Sequence, residues 1–276
     1  MSSTNAANLF SFNGMVAVVT GGGTGIGLLM TKALEENGAK VYIFGRRLEV
    51  LKKAAEQAKH QNIIPLQGGV TIKEDLARVV EIIREKDGFI NLLIANSGIS
   101  GPQDGNSTED VSLNDLRGRL WNISTEAFTQ TFNVNLTAVF FSVTKKGNTA
   151  QKSQIVAVAS AGAFNRIPIG GWAYGASKAG VVHMMKQAAT LFAPYDIRYN
   201  ILAPGLYPSE GAEAATEKYK DKEGLFPRTL VPLQSIGTKE DMAGNILFMT
   251  SRAGAYLNGS VLLTDGGRLS VAPSAY

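Results

Sequence analysis

A glycine-rich turn near the start of the chain is the feature that most constrains its fold. The motif Thr20-Gly21-Gly22-Gly23-Thr24-Gly25-Ile26-Gly27 follows the apolar run Met15–Val19, which is typical of a strand buried on both faces of a parallel sheet. A helical pattern over Gly27–Asn37 comes next and ends at Gly38 as a C-cap. In this βαβ context the turn predicts a site where backbone and helix N-terminus bind a pyrophosphate. A flexible glycine loop without a ligand is the alternative.

Strand and helix patterns alternate along the rest of the chain. Strands are predicted at 41–44, 63–66, 91–95, 154–159, 197–202 and 260–264, and helices at about 47–60, 73–87, 125–146, 173–192 and 239–250. Segment 99–124 reads as loop with some helix. This order predicts the α/β class, with a single-domain, doubly wound parallel sheet known as a Rossmann fold. We expect a tail at 1–12, with Phe10 and Phe12 against the domain, and a domain at 13–276 whose substrate-loop region is 206–237.

The composition excludes several kinds of site. The chain has no cysteine and two histidines, so disulfides and zinc–thiolate sites are excluded and we expect no metal site. The net charge is +4, but the basic residues are scattered, which argues against nucleic-acid binding. No apolar run is long enough to span a bilayer, and the first residues lack the pattern of a signal peptide. These observations favour a cytoplasmic protein without a membrane segment.

The end of the second predicted strand indicates which nucleotide is bound. An NAD site typically has an acidic residue there, which binds the ribose 2′-hydroxyl. This chain instead has Gly45 followed by Arg46 and Arg47. A guanidinium binds a 2′-phosphate in a bidentate manner, so NADP(H) is favoured, with Arg46 as the stronger candidate. The alternative is that both arginines belong to a solvated helix start.

A second group of polar residues indicates the reaction. Tyr174 and Lys178 are four residues apart, on one face of a predicted helix, and the lysine cation is expected to lower the pKa of the phenol. Such a tyrosine can exchange a proton with a carbonyl or an alcohol. Ser160 follows the buried strand Ile155–Ala159, so its hydroxyl is expected at the same sheet edge. Asn135 lies in an apolar helix pattern, where a satisfied buried amide is the alternative to a functional one.

Together these motifs resemble the short-chain dehydrogenase/reductase family, especially its fungal single-domain members. The resemblance runs from Gly14 to Gly267 and also includes Ala95-Asn96-Ser97-Gly98, Asn133-Val134-Asn135, Pro204-Gly205 with Ser209, and Thr264-Asp265-Gly266-Gly267. It implies that Tyr174 exchanges the proton, Ser160 orients the carbonyl, Lys178 holds the nicotinamide ribose, and Asn135 holds a water in a proton relay. Cofactor contacts are expected from the glycine turn, from the strand ends and from the resemblance, at Gly21, Thr24, Gly25, Ile26, Gly27, Arg46, Arg47, Val70, Asn96, Gly98, Tyr174, Lys178, Pro204, Gly205, Tyr207 and Ser209.

Three positions depart from the family pattern. Ala95 stands where an asparagine is usual, Gly69 replaces an aspartate beside the adenine, and Ser160 is one residue further from Tyr174 than usual. The strand pattern still places Ser160 at its end, so we expect the extra residue in loop 161–173. The loss of the acid at Gly69 suggests that affinity depends more on the 2′-phosphate.

The substrate is less constrained. Trp121, Phe164, Trp172, Tyr207 and Phe226 are candidates for an apolar pocket, with ordinary packing as the alternative. We expect a ketone or alcohol on a small lipophilic or polyketide-like molecule, as in secondary metabolism. The alternatives are a non-redox member that acts in cyclisation or isomerisation, and a cofactor-sensing protein. The resemblance implies a homo-dimer or homo-tetramer, although the apolar part of the helix after Asn135 is short, ending at Lys145-Lys146-Gly147-Asn148.

Overall fold

A parallel seven-stranded sheet forms the centre of the molecule. The computed structural model describes residues 4–103, 111–141, 153–168, 170–209, 217 and 219–275. The strands are β1 Val16–Thr20, β2 Lys40–Gly45, β3 Ile63–Gln67, β4 Leu92–Ala95, β5 Gln154–Val158, β6 Arg198–Pro204 and β7 Val261–Thr264. The α-helices are α1 Ala6–Leu9, α2 Gly25–Glu36, α3 Leu48–Ala55, α4 Lys73–Asp87, α5 Leu113–Trp121, α6 Thr125–Phe132, α7 Ala138–Phe140, α8 Trp172–Leu191, α9 Lys239–Thr250 and α10 Arg268–Val271.

The strand order is β3-β2-β1-β4-β5-β6-β7, so the winding direction reverses between β1 and β4. Ala17 is paired with Val41 on one side and with Leu92 on the other. Ligands bind such sheets at the carboxyl ends of the strands, beside this reversal. The predicted single-domain α/β fold with a doubly wound parallel sheet is therefore confirmed.

Helices cover both faces of the sheet, as continuous apolar strands require. On one face α2 and α9 bury Met30, Leu34, Met242 and Ile246 against β1, β2 and β4. On the other face α4 and α8 supply Val79, Ile83, Val181 and Met185. Phe12 is fully buried in the first of these clusters, whereas Phe10, which we expected beside the domain, is 36% exposed.

Two predicted helices differ from the structure. The helix expected at 47–60 ends at Ala55, because the buried carboxylate of Glu35 accepts the backbone N–H groups of Lys59, His60 and Asn62. The helix expected at 125–146 changes to a π-turn over Asn133–Thr137 and resumes as the short α7. Residues 142–150, including the polar end of that predicted helix, lie outside the described residues.

The described residues contain no helix that is both long and apolar enough to cross a membrane. In the same part of the chain, no cluster of three or more histidine, aspartate and glutamate side chains is arranged to hold a metal ion.

Candidate active site

A cavity of about 650 Å³ lies along the carboxyl ends of the strands. It is lined by all of the predicted site residues except Asn135 and Tyr207. Those that line it are Gly21, Thr24, Gly25, Ile26, Gly27, Arg46, Arg47, Val70, Asn96, Gly98, Ser160, Tyr174, Lys178, Pro204, Gly205 and Ser209. Residues from both halves of the chain therefore meet in one cavity.

The glycine turn forms one end of this cavity and has no room for side chains. A Cβ atom on Gly27 would lie 2.2 Å from the carbonyl oxygen of Gly21, and Gly25 has a φ of +50°, which favours glycine. Thr24 is the N-cap of α2 but its side chain makes no capping hydrogen bond. The first N–H groups of α2 thus remain available to an anion, so the turn fits the pyrophosphate of a dinucleotide.

The loop after β6 closes over the same turn. A Cβ atom on Gly25 would lie 3.3 Å from the Cβ of Ser209, so the two segments are in contact distance across the cavity. On the other side, Asn96 donates from Nδ2 to the carbonyl oxygen of Thr20 over 2.9 Å. The Thr20 hydroxyl accepts the N–H groups of Asn96 and Ser97, each over 3.0 Å. These bonds fix the ends of β1 and β4 relative to each other.

The ends of β2 and β3 form the part of the cavity that carries positive charge. Arg46 and Arg47 are both exposed, and the Arg46 carbonyl accepts a hydrogen bond from Gln67 Nε2 over 3.1 Å. Gly69, where an acid is usual, donates its N–H to Asp75 Oδ2 over 2.8 Å. The hydrogen bond from Arg78 lowers the pKa of Asp75, and the Gly69 N–H adds to this effect. This carboxylate is therefore tied to α4 and to the backbone, while the guanidinium groups border the cavity.

The opposite part of the cavity contains Ser160, Tyr174 and Lys178. Lys178 is 4% exposed, donates from Nζ to the Val158 carbonyl over 2.7 Å, and lies 5.9 Å from the centroid of the Tyr174 ring. Ser160 caps the 3₁₀ turn Ala161–Ala163, and its oxygen accepts the Gly162 N–H over 3.0 Å. The Ser160 hydroxyl is also hydrogen-bonded to Tyr174.

The ionisation of these groups differs from our expectation. Burial raises the pKa of Tyr174, and a hydrogen bond with Ser160 opposes that rise, so the expected lowering by Lys178 is not present. Burial also lowers the pKa of Lys178 from 10.5 to about 8. The lysine is directed at a backbone carbonyl, and desolvation of the phenol outweighs the attraction that the spacing of four residues suggested. The phenol is therefore protonated at neutral pH.

Asn135 lies behind the cavity and not in its wall. It is 1% exposed, and its amide is held by the Ile99 N–H over 2.8 Å, the Ile99 carbonyl over 3.0 Å and the Ser177 hydroxyl over 3.1 Å. A Cβ atom on Gly98 would lie 3.3 Å from both Asn135 Oδ1 and Lys178 Nζ, so the amide approaches the lysine across this glycine. The geometry matches the alternative that we gave for this residue, a satisfied buried amide.

The structure does not bring the predicted aromatic residues to the cavity. Tyr207 is 5% exposed, its hydroxyl is hydrogen-bonded to the Thr264 hydroxyl over 2.7 Å, and it does not line the cavity. Trp121 is 89% exposed and Phe226 is 1% exposed, and Phe164 and Trp172 do not line the cavity. The expected apolar pocket is therefore not formed by these five side chains.

Several polar residues line the cavity without having been predicted. Thr71, Ser97 and Ser100 follow the ends of β3 and β4, so their position after a strand was a usable signal. Gln130 lies within α6 and reaches the cavity through the packing of that helix, for which the local sequence gives no signal.

The comparisons with known proteins agree with this site. A family model described as enoyl-(acyl carrier protein) reductase matches residues 21–268. The chain is 52% identical to the short-chain dehydrogenase/reductase PhomF of Diaporthe leptostromiformis, over 98% of this chain and 97% of that protein. It is 41% identical to the short-chain dehydrogenase/reductase VdtF of Byssochlamys spectabilis, over 98% of each chain.

A solved structure of a related protein has a similar fold. The 3-ketoacyl-(acyl-carrier-protein) reductase of Brucella melitensis, complexed with NADH, superimposes with a TM-score of 0.75 at 28% identity. The match covers 94% of this chain and 99% of that one. One assignment follows from the glycine turn, from the nicotinamide cofactor in a related structure and from the match along nearly the whole chain. The chain is an oxidoreductase of the short-chain dehydrogenase/reductase family.

Proposed function

We propose that the protein is an NADPH-dependent oxidoreductase that reduces a ketone, or oxidises the corresponding alcohol. The observation that carries this proposal is the single cavity that joins the exposed Arg46 at one end to Ser160, Tyr174 and Lys178 at the other. The glycine turn and the N-terminus of α2 would hold the pyrophosphate, and Arg46 would bind the 2′-phosphate. A bound nicotinamide supplies or accepts the hydride.

The side chains of the reactive end have separate tasks in this proposal. Ser160 donates its proton in a hydrogen bond to the substrate carbonyl oxygen and orients it. Tyr174 transfers its phenol proton to that oxygen as the alcohol forms. Because burial raises the pKa of Tyr174, the phenol is protonated at neutral pH and can act as the proton donor. Lys178, whose Nζ is bonded to the Val158 carbonyl, would hold the nicotinamide ribose.

We propose a small lipophilic or polyketide-like carbonyl compound as the substrate. Support comes from the resemblance to fungal members in secondary metabolism and from the related Brucella reductase, whose name specifies a ketoacyl group. Ile99 and Val134 give the wall an apolar part that suits a lipophilic compound, and Ser100 and Gln130 can bind the oxygens of a polyketide-like one. We further propose that the protein forms a homo-dimer or homo-tetramer.

Replacement of Tyr174 tests the mechanism. Tyr174→Phe removes the exchangeable proton and keeps the ring, so we expect NADPH oxidation to fall at least about a hundredfold while NADPH still binds. Oxidation would be measured by NADPH absorbance against a panel of ketones and quinones. Unchanged turnover in this variant contradicts the proposed role of the phenol.

The same panel separates the redox function from the alternatives. A non-redox member would convert its substrate without any change in NADPH absorbance, and a cofactor-sensing protein would bind NADPH without converting anything. The presence of Ser160, Tyr174 and Lys178 in one cavity favours the redox function over both.

A further inference from the structure

The C-terminal segment Pro273–Ala275 pairs with the loop that follows Ser160. The Arg166 N–H donates to the Pro273 carbonyl over 2.8 Å, and the Ala275 N–H donates to the Phe164 carbonyl over 2.7 Å. Asn165 and Ser274 therefore lie opposite each other in an antiparallel bridge. These residues are more than a hundred positions apart in the sequence, so the contact closes a long loop of chain.

The partner of this segment is the reactive loop, defined as residues 161–168 and 170–171. Both of its ends touch the proposed proton donor. A Cβ atom on Gly162 would lie 3.2 Å from Tyr174 Cε1 and 3.2 Å from Ser160 Oγ, and one on Gly170 would lie 2.9 Å from Tyr174 Cδ1. The backbone of the reactive loop therefore packs against the Tyr174 ring from two places.

The reactive loop is held at its far end and in its middle by different segments. Near its far end, the Gly101 N–H donates to the Gly170 carbonyl over 2.9 Å. In its middle, Phe164 and Arg166 make the two hydrogen bonds with the C-terminal segment. The C-terminal segment thus adds two hydrogen bonds to the middle of the loop, where Ala163 and Phe164 also pack against the core.

The C-terminal segment is itself anchored to the other wall of the cavity. The Ser274 hydroxyl donates to the Leu269 carbonyl over 3.0 Å, and the Leu269 N–H donates to Asp265 Oδ2 over 2.8 Å. Asp265 packs directly on Gly205, where a Cβ atom would lie 2.7 Å from the Asp265 Cα. Gly205 lines the cavity, so the segment connects the wall after β6 to the wall after β5.

We propose that the C-terminal segment is a positioning element that holds the reactive loop beside Tyr174 and thereby sets the affinity for the carbonyl substrate. This inference rests on the proposed function. No described residue of the reactive loop lines the cavity, so the loop acts on the substrate through Ser160, whose Oγ accepts the Gly162 N–H over 3.0 Å. The effect of the segment should fall on substrate binding, because Ser160 orients the carbonyl in the proposed function, whereas α8 holds Tyr174. Within the described part of the reactive loop, the main-chain hydrogen bonds to the segment are made by Phe164 and Arg166.

A single proline tests the inference. Ala275→Pro removes the N–H that bonds the Phe164 carbonyl, whereas Ala275→Ser keeps that N–H at the same exposed position and serves as the matched control. We expect Ala275→Pro to speed amide hydrogen exchange in residues 161–168. With phenanthrenequinone as the probe, KM should rise about fivefold, the effect of one lost hydrogen bond, with kcat within about twofold and unchanged NADPH affinity.

A disulfide across the bridge should reverse the effects of Ala275→Pro. The chain has no cysteine, so Asn165→Cys with Ser274→Cys introduces the only two thiols, at directly opposed positions of the bridge. Asn165 Oδ1 has no hydrogen-bond partner in the described structure, so its replacement breaks no bond of that atom. In the Ala275→Pro background, oxidation should restore slow exchange and the native KM, and a reductant should reverse both.

The outcomes separate this inference from the proposed function. Hydrogen exchange needs no turnover, so equal loop exchange in Ala275→Pro and Ala275→Ser overturns the inference whether or not the protein is active. A raised exchange rate with an unchanged KM overturns it as well. A third outcome is faster exchange of the reactive loop in Ala275→Pro while no protein, the native one included, oxidises NADPH. That result supports the inference that the C-terminal segment restrains the loop, and it contradicts the proposed function.

Discussion

At the scale of single residues, Lys178 couples the reactive centre to the stability of the fold. Burial lowers its pKa from 10.5 to about 8, so the folded protein favours the neutral amine more strongly than the unfolded chain does. Below pH 8 the folded protein must hold a buried cation, at a cost on the order of 3 kcal/mol. Between about pH 8 and pH 10.5 the cost declines, because the native amine is already neutral there.

The expected rise of the unfolding free energy with pH can be tested with Lys178→Met. The variant has no cation to bury, although it loses the bond to Val158 at every pH. From pH 7 to pH 10 we expect the native protein to gain about 2 kcal/mol of unfolding free energy relative to the variant, measured by urea unfolding. Lys186→Met, at an exposed position of the same helix, should show no such gain. A difference that is independent of pH contradicts the burial of the charge.

In the proposed function, the single residue Arg46 sets the preference for NADPH over NADH. Arg46→Ala should weaken NADPH binding about ten- to a hundredfold, the effect of losing a charge-assisted hydrogen bond to phosphate, and NADH binding less than about twofold. Binding would be measured by fluorescence titration with each nucleotide. Lys53→Ala removes the same charge from an exposed position on α3 and should affect neither nucleotide. Equal losses for both nucleotides in Arg46→Ala mean that the arginine does not recognise the phosphate.

Two tyrosines show what local sequence can and cannot predict. Tyr174 was recognisable because its partner Lys178 is four residues away, and both line the cavity. Tyr207 also follows a strand end, but its hydroxyl bonds Thr264, a partner 57 residues later in the chain. The pKa of Tyr174 was predicted in the wrong direction for a related reason, because burial depends on residues from the whole fold.

At the scale of secondary-structure elements, helices with local end signals were predicted best. The helices expected at 73–87 and 239–250 have those bounds in the structure. Gly88, with a φ of +80°, ends the first, and a capping box between Thr238 and Asp241 begins the second. The π-turn at Asn133–Thr137 has the same apolar periodicity as an α-helix, so the pattern could not reveal it.

Asn135 connects this π-turn to two other elements, which gives a prediction for stability. Asn135→Leu leaves the N–H and carbonyl of Ile99 without their partner, so we expect a loss of about 2–4 kcal/mol of unfolding free energy. Urea unfolding of the protein without nucleotide measures this loss. Asn122→Leu changes an exposed asparagine and should leave stability within about 0.5 kcal/mol. An unchanged stability in Asn135→Leu would point instead to a role confined to catalysis.

At the scale of the whole molecule, several apolar side chains remain on the surface of the described chain. Phe140 is 66% exposed at the end of α7, and Leu191 and Tyr195 are each 67% exposed at and after the end of α8. Exposed apolar groups of this kind are compatible with association between copies. Light scattering should therefore give a mass of two or four times 29.4 kDa. A mass of 29.4 kDa at micromolar concentration contradicts the proposed assembly.

The pairing of the C-terminal segment could not be predicted from sequence, because residues 165 and 274 share no local pattern. The doubly wound parallel sheet, in contrast, was predicted from the alternation of strands and helices. Long-range register is thus the level at which the sequence-based prediction was incomplete.

The strand order also has a consequence for biosynthesis. β1 to β4 are contiguous in the sequence and adjacent in the sheet, and they carry the glycine turn and Arg46. Chains emerge from the ribosome N-terminus first, so the nucleotide-binding half can assemble before Ser160 and Tyr174 have been synthesised.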